Sequence, residues 1–117
     1  MNKTTAKLEQ NLINALTLAC EEFKRWDIGF DWLTHTVSHN RFPDSLVVSC
    51  VFLTQAQMQQ VLSDSLDARM RKEIQTRLLK AGIRPKDIRR NVRMDNEQDC
   101  AAQDGGNWEA RLQRFRG

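Results

Sequence analysis

The spacing of apolar residues at the start of the chain predicts an amphipathic α-helix. Apolar side chains recur every three or four residues as far as Trp26, and Thr4 or Thr5 supplies an N-cap. Gly29 then ends the helix. The apolar face of this helix comprises Leu8, Leu12, Ala15, Leu16, Ala19, Cys20, Phe23 and Trp26.

Two predicted strands follow this helix. Residues 30–39 are rich in aromatic and β-branched side chains, which favour a strand, and residues 40–44 supply a turn. Residues 46–53 are apolar at nearly every position, which is typical of a central strand that is buried on both faces. The two strands are predicted to form an antiparallel hairpin.

A helical pattern follows the hairpin. Thr54 and Gln57 form a capping box, and apolar residues keep helical spacing as far as Gly82, a natural C-cap. Residues 63–65, Ser-Asp-Ser, are good N-capping residues and poor helix-interior residues. They divide the region into two predicted helices, over about 55–62 and 65–81.

A third strand is predicted over 88–94. Apolar residues in this stretch share the parity of a strand. The alternative is a short helix that begins at residues 86–87, because Pro85 also suits a first helical turn.

The tail of the chain, residues 96–117, is polar and turns at Gly105 and Gly106. It is predicted to end in a short helix around residues 108–115. An apolar face on this helix needs to be covered, either by the chain's own sheet or by a second copy of the protein. That face comprises Trp108, Leu112 and Phe115.

The predicted element order is helix, strand, strand, helix, helix, strand, followed by the short C-terminal helix. This order is typical of an α+β domain with one small three-stranded sheet, antiparallel or mixed, and helices packed on one face. With 117 residues and a mass of 13.6 kDa, the chain is expected to form a single domain over 1–117. Its core is expected over about 5–95, and the polar tail over 96–117.

Composition narrows the class of protein. With 40% hydrophobic and 28% charged residues, the chain is neither collagen-like nor wholly disordered. The longest apolar run, residues 46–53, is too short to cross a bilayer, and the N-terminus lacks the apolar segment of a secretory signal. Three widely spaced cysteines fit free thiols in a reducing cytoplasm. We therefore expect a cytoplasmic protein without a membrane partner.

Positive charge is concentrated in one segment. Residues 69–93 carry ten bases and two acids, so their net charge is +8 in a chain whose net charge is +3. Asymmetry of this kind indicates an anionic partner, and several bases on one surface suit a phosphate backbone. The predicted nucleic-acid-binding residues, on the outer side of the 65–81 helix and after it, are Arg69, Lys72, Lys80, Arg84, Lys86, Arg89, Arg90 and Arg93.

This basic stripe is also compatible with roles that do not involve nucleic acid. A charged helix face is often only solvated, and the acidic stretch 95–109 offers partners within the chain. An acidic protein is another candidate partner. The stripe lacks interleaved aromatic residues, so its pattern suits contact with a duplex backbone better than stacking on single-stranded bases.

Patterns of catalytic and metal-binding residues are weak. On one strand, His35 and His39 would point the same way about 13 Å apart, too far for one metal ion, although Cys50 could lie near them across the hairpin. Cys20 and Cys50 are predicted to be buried, whereas Cys100, in the polar tail, is the thiol expected to react. No Gly-rich phosphate loop, nucleophile elbow or HExxH pattern occurs. We therefore expect no enzyme, no catalytic residue, no metal and no cofactor.

The element order resembles that of type II KH domains and of BolA-like proteins, over residues 5–95. The first resemblance implies RNA binding through a Gly-x-x-Gly loop between the two middle helices. At that place this chain reads Leu-Ser-Asp-Ser-Leu, residues 62–66. The second resemblance implies sharing of an iron–sulfur cluster through a His or Cys, and no position of this chain matches that residue.

About two thirds of the chain is similar to a family of small uncharacterised proteobacterial proteins. The similarity lies in residues 32–35, Trp-Leu-Thr-His, and in residues 42–52, Phe-Pro-Asp-Ser-Leu-Val-Val-Ser-Cys-Val-Phe. Gly106-Asn107-Trp108, followed by Arg111-Leu112, is similar too. Some members carry the label Fis-family transcriptional regulator, whereas no Fis-type helix-turn-helix is seen at the end of this chain.

These observations predict a bacterial, non-enzymatic protein that acts by binding. The leading hypothesis is a nucleic-acid-associated or regulatory protein that contacts the phosphates of DNA or RNA through the basic stripe. The alternative is a protein-interaction module, an adaptor or inhibitor, that binds an acidic protein partner or associates with itself as a homodimer.

Overall fold

The structure, a computed structural model, describes residues 3–115 and, at Lys3, Thr4, Thr5 and His39, the backbone alone. A 3-10 turn, His39–Arg41, lies between the first two strands. The helices and strands are α1 (Lys3–Lys24), β1 (Phe30–Thr36), β2 (Val47–Phe52), α2 (Gln55–Ser63), α3 (Leu66–Lys80), α4 (Ile88–Asn91), β3 (Val92–Asn96), α5 (Glu97–Asp104) and α6 (Trp108–Gln113).

One mixed three-stranded sheet lies at the centre of the fold, in the order β1-β2-β3. β1 and β2 are antiparallel, whereas β2 and β3 are parallel. Every residue of β2 is buried, as its uninterrupted apolar run predicts. The predicted α+β class, the hairpin and the central position of the second strand are therefore confirmed.

Helices α1 and α3 pack on one face of this sheet and form the core with it. Val48, Cys50 and Phe52 alternate along β2 and are fully buried in this core. The rings of Phe23, Phe30 and Phe52 meet edge to face, with centroids 5.4 and 6.1 Å apart along the series. The helices contribute Leu12, Ala15, Leu16, Ala19, Met70, Ile74 and Leu78.

The C-terminal helix contacts the opposite face of the sheet. Trp108 of α6 packs edge to face against Trp32 of β1, with ring centroids 4.9 Å apart. One carboxylate oxygen of Glu97 accepts hydrogen bonds from both indole N–H groups, at 2.9 and 2.8 Å. The guanidinium carbon of Arg93 lies 3.7 Å from the ring centroid of Phe115. Of the two alternatives for the apolar face of the terminal helix, docking on the chain's own sheet is the one observed.

The junction between α2 and α3 confirms the division into two helices. The side chain of Thr54 accepts a hydrogen bond from the backbone N–H of Gln57, so the predicted cap is present. Asp64 ends α2, and Ser65 has a left-handed backbone, with φ of 58°, that interrupts the helical path before α3.

Both alternatives for residues after Pro85 occur, one after the other. Asp87 caps the single turn of α4, and β3 begins only at Val92 and extends to Asn96. The predicted strand therefore begins later and ends later than the parity of its apolar residues indicates.

The polar tail contains one helix that its sequence pattern does not predict. Asn96 caps α5 by accepting a hydrogen bond from the backbone N–H of Asp99, and Gly105, with φ of 60°, ends the helix. α6 follows at the predicted place. Among the described residues, no helix has both the length and the apolar character that are needed to cross a membrane.

Candidate nucleic-acid interface

Helix α3 positions three of the predicted binding residues. Its buried residues, Met70, Ile74 and Leu78, lie on one side because they are spaced by four. Arg69, Lys72 and Lys80 lie on the outer side and are exposed. The rise of 1.5 Å per residue spreads them over about 16 Å of the helix axis.

The segment after α3 carries four more of the predicted residues. Two buried side chains hold it in place: Ile83, which is 2% exposed, and Asn91, whose amide donates a 2.7 Å hydrogen bond to the backbone carbonyl of Leu46. The charged side chains between these anchors face solvent, namely Arg84, Lys86, Arg89 and Arg90. A fixed backbone thus presents exposed cations. We call the seven residues Arg69, Lys72, Lys80, Arg84, Lys86, Arg89 and Arg90 the cationic ridge.

The carboxylates closest in sequence to the cationic ridge are occupied by other groups. Asp67 pairs with Arg71, and Glu73 pairs with Arg77 at 2.8 Å. Asp87 accepts a hydrogen bond from the backbone N–H of Arg89 as the cap of α4. Within residues 3–115, no member of the cationic ridge forms an ion pair. The ridge therefore presents positive charge without compensation from the rest of the described chain.

The acidic stretch 95–109 does not fold onto the cationic ridge. A buried pair joins Asp95 to Arg111, with Nε and Nη2 donating at 2.7 and 2.9 Å. Asp104 accepts from Arg111 at 2.8 Å and from Arg114 at 2.6 Å. These contacts hold α5 and α6 against the sheet, so the expected intramolecular partner of the basic stripe is engaged elsewhere.

Arg93, the eighth predicted binding residue, is separate from the other seven. Val92 and Met94 point into the core, so Arg93 between them points to the opposite face of the sheet. There its guanidinium donates to the hydroxyl of Ser49 at 2.9 Å and to Asp95 at 2.5 Å. Placing Arg93 in the basic stripe was wrong, because strand alternation separates it from the helix face.

Aromatic side chains give the cationic ridge no base-stacking platform among the described residues. Trp26 lies below Arg69, whose guanidinium carbon is 5.5 Å from the ring centroid. Its indole N–H donates to Glu22 at 3.3 Å, and the side chain is half-buried. The large exposed apolar residue of α3 is Leu79, which is 50% exposed. The ridge therefore offers charge and one aliphatic contact.

The histidine and cysteine predictions hold only in part. β1 ends at Thr36, so His39 lies in the 3-10 turn and does not share a strand with His35. Cys100 of α5 is fully buried, which corrects the expectation that it is the reactive thiol. Cys20 is half-buried, and not fully buried as predicted. Among the described residues, no three His, Cys, Asp or Glu side chains are placed to hold one metal ion.

The thiols are expected to differ in reactivity. Cys20 lines an open groove between α1 and β1, whereas Cys50 is buried, and burial raises the pKa of its thiol to about 12. A thiol reagent such as iodoacetamide is therefore expected to modify Cys20 in the native protein, and Cys50 and Cys100 only after denaturation. Peptide mass spectrometry after a short exposure measures this order. Modification of Cys100 before Cys20 would contradict the burial of the Cys100 side chain.

Comparison of the chain with protein-family models, with curated proteins and with solved structures finds no match in any of the three. The geometry and charge of the cationic ridge are therefore the observations that bear on function.

Proposed function

We propose that this protein is a non-enzymatic, nucleic-acid-associated regulatory protein of the cytoplasm that binds phosphates through the cationic ridge. The observation that carries the proposal is the exposure of seven cations that have no carboxylate partner within the described chain. Each lysine or arginine that neutralises a phosphate releases condensed counterions, which drives binding. Three free cysteines are consistent with a reducing compartment.

The arrangement of the cations supports a polyanion as the partner. Arg69 and Lys72 are neighbours on the surface of α3, three residues apart, and like charges at this spacing repel each other. A single carboxylate would offset the repulsion at one such pair, whereas a row of phosphates offsets the repulsion along the whole ridge. Nucleic acid supplies such a row at regular spacing.

The same surface favours the backbone of a duplex over single-stranded bases. Stacking on aromatic side chains provides much of the affinity of single-strand binding proteins. The half-buried Trp26 is already covered by Arg69. Recognition by the cationic ridge would then depend on phosphates and tolerate changes of base sequence.

An acidic protein is the second candidate partner. The exposed side chain of Leu79 supports it, because an aliphatic side chain contributes to affinity when a protein partner buries it and contributes nothing to phosphate binding. The two partners differ in the salt dependence of binding, since only the polyelectrolyte releases condensed counterions.

A salt series on the wild-type chain tests the proposed function. Fluorescence anisotropy measures the affinity for a short labelled DNA duplex, its single strand and the matching RNA duplex, from about 50 to 200 mM salt. We expect the logarithm of the association constant for the duplex to fall linearly with the logarithm of salt concentration, with a slope of about −4.5 to −6.3 for five to seven phosphate contacts. Absence of duplex binding at the lowest salt concentration, or a slope near zero, would overturn the proposal.

A further inference from the structure

β1 is an edge strand, and from Trp32 to Thr36 it has no lysine, proline or bulge that would protect it against pairing. Edge strands in natural proteins carry lysine, proline, bulges or covering elements that prevent association with another chain. β1 has seven residues and no proline or lysine, and its one irregularity lies between Phe30 and Trp32. Burial lowers the pKa of His35, and the strand contains no other base and a single acid, Asp31.

The other edge strand, β3, differs in this respect. It has five residues, and the guanidinium of Arg71 donates two hydrogen bonds, at 3.3 and 3.1 Å, to the backbone carbonyl of Val92. A charged side chain thus covers the start of β3, which is a common means of preventing edge pairing. The two edges of one sheet are therefore unequal, and β1 is the open one.

An apolar flank of α1 lies beside this open edge. Ile13 and Cys20 of α1 and Leu33 of β1 line an open groove of about 310 Å³, which also includes the charged residues Glu21 and Lys24. Ile13 is 44% exposed. A second chain that pairs with the outer edge of β1 would bury part of this side chain, which favours association.

We propose that the outer edge of β1 pairs antiparallel with β1 of a second copy of the protein, about a two-fold axis at Thr34, to form a six-stranded sheet. This register matches residues of the same face. Thr34 lies opposite its own copy, Trp32 lies opposite Thr36, and Leu33 lies opposite His35. Aromatic–β-branched and Thr–Thr pairs are among the favourable cross-strand pairs, and no like charges meet.

A second copy is the occupant favoured by this self-complementarity. Under a two-fold axis at Thr34 each residue meets a fixed partner, and these partners form Thr–Thr and aromatic–β-branched pairs. The same axis brings α1 of each copy side by side along the flank that carries Ile13. The cationic ridge lies on the outer side of α3, away from β1, so pairing of β1 leaves both ridges open. The inference does not depend on the proposed function.

Two variants of Thr34 and their mixture test the pairing. Sedimentation velocity is expected to show a wild-type dimer at micromolar chain concentrations. Thr34→Lys and Thr34→Asp each place like charges on the axis. Each is expected to raise the dissociation constant of the dimer at least tenfold, which corresponds to about 1.4 kcal/mol of binding free energy. An equimolar mixture of the two variants is expected to recover dimers, because lysine then faces aspartate across the axis.

Circular dichroism melts confirm that each Thr34 variant folds. If either fails to fold, Ile13→Lys replaces it, since Ile13 is exposed on α1 and has no part in the β1–β2 ladder. A wild-type chain that stays monomeric up to millimolar concentration overturns the proposal. So does a dimer that neither charge at Thr34 weakens, or a mixture that stays as monomeric as its two components. No nucleic acid is present in these measurements, so their outcome is separate from that of the salt series.

Discussion

Replacement of Arg111 by methionine is expected to lower the free energy of unfolding by about 3 kcal/mol or more, and the melting temperature by about 10 °C. The Arg111 side chain is 6% exposed and bridges two carboxylates, Asp95 and Asp104, which are 3% and 6% exposed. Methionine fills the same space without the charge. Both carboxylates would then lose a buried partner, which is more costly than loss of an exposed ion pair. Urea denaturation followed by circular dichroism measures the difference.

Arg114→Met is the matched control. Arg114 pairs with the same carboxylate, Asp104, but its side chain is 53% exposed. Solvent screens such a pair, so the control is expected to lose much less stability than Arg111→Met. Equal losses of unfolding free energy in the two variants would show that burial of the Arg111 pair adds nothing to stability. That result would contradict the expected anchoring of the C-terminal helices.

The same network makes the free energy of unfolding depend on pH in the acidic range. Burial alone would raise the pKa of Asp95, but hydrogen bonds from Arg111 and Arg93 outweigh it and hold that pKa below its ordinary value. Hydrogen bonds from Arg114 and Arg111 lower the pKa of Asp104 to about 2. Both groups bind protons more weakly in the folded chain, so their contribution is present above about pH 4 and is lost as pH falls through the folded values. In Arg111→Met this loss is expected to be smaller.

Reversal of charge at three positions of the cationic ridge is expected to lower the affinity for duplex DNA about 100-fold at low salt. Lys72→Glu, Lys80→Glu and Arg89→Glu are combined in one variant because all three side chains are exposed and form no ion pair among the described residues. Loss of three phosphate contacts is expected to reduce the magnitude of the salt slope by about 3. Anisotropy titration at several salt concentrations measures both quantities, and the thermal unfolding midpoint is expected to stay close to the wild-type value.

A variant of equal net charge is the control for the charge-reversal experiment. Lys7, Lys24 and Arg41 are exposed bases outside the cationic ridge, and their reversal to glutamate changes the net charge by the same amount. We expect this control to weaken duplex binding by less than about fivefold. If both variants bind equally weakly, overall charge and not the ridge determines binding, and the site is wrong.

The sequence predicts well those elements whose signal lies within the segment itself. β2 is buried on both faces, and an unbroken apolar run has few other interpretations at that length. The start of α2 is equally local, since the side chain of Thr54 accepts a hydrogen bond from the backbone N–H of Gln57. Neither prediction needs knowledge of the rest of the fold.

Helix α5 could not be found in the same way. Cys100 is its single buried residue, so no apolar stripe marks the segment. The helix is stabilised by the cap at Asn96 and by the pairing of Asp104 with two arginines that lie farther along the chain. Charges that pair across distant positions look like solvated charges in a sequence. The burial of Cys100 was missed for the same reason.

The position of Arg93, by contrast, was open to prediction. The parity of Val92 and Met94 that indicates a strand also requires the residue between them to face the opposite side. Counting Arg93 with the bases of α3 overlooked this alternation. For Arg69, Lys72 and Lys80, by comparison, spacing on a helix was sufficient to predict exposure.

The indole pair at Glu97 on one face of the sheet, and Trp26 on the other, allow the two faces to be followed separately by spectroscopy. The chain has three tryptophans and no tyrosine, so its near-ultraviolet signal comes almost entirely from indole rings. Trp32 and Trp108 are close enough for their electronic transitions to couple, which gives a circular dichroism signature that exists only while α6 is docked. Trp26 lies on the other side, beneath Arg69, where an anion that draws the guanidinium away would change its fluorescence. The unlabelled protein therefore carries one optical reporter for closure of its C-terminal helices and another for occupation of its cationic surface.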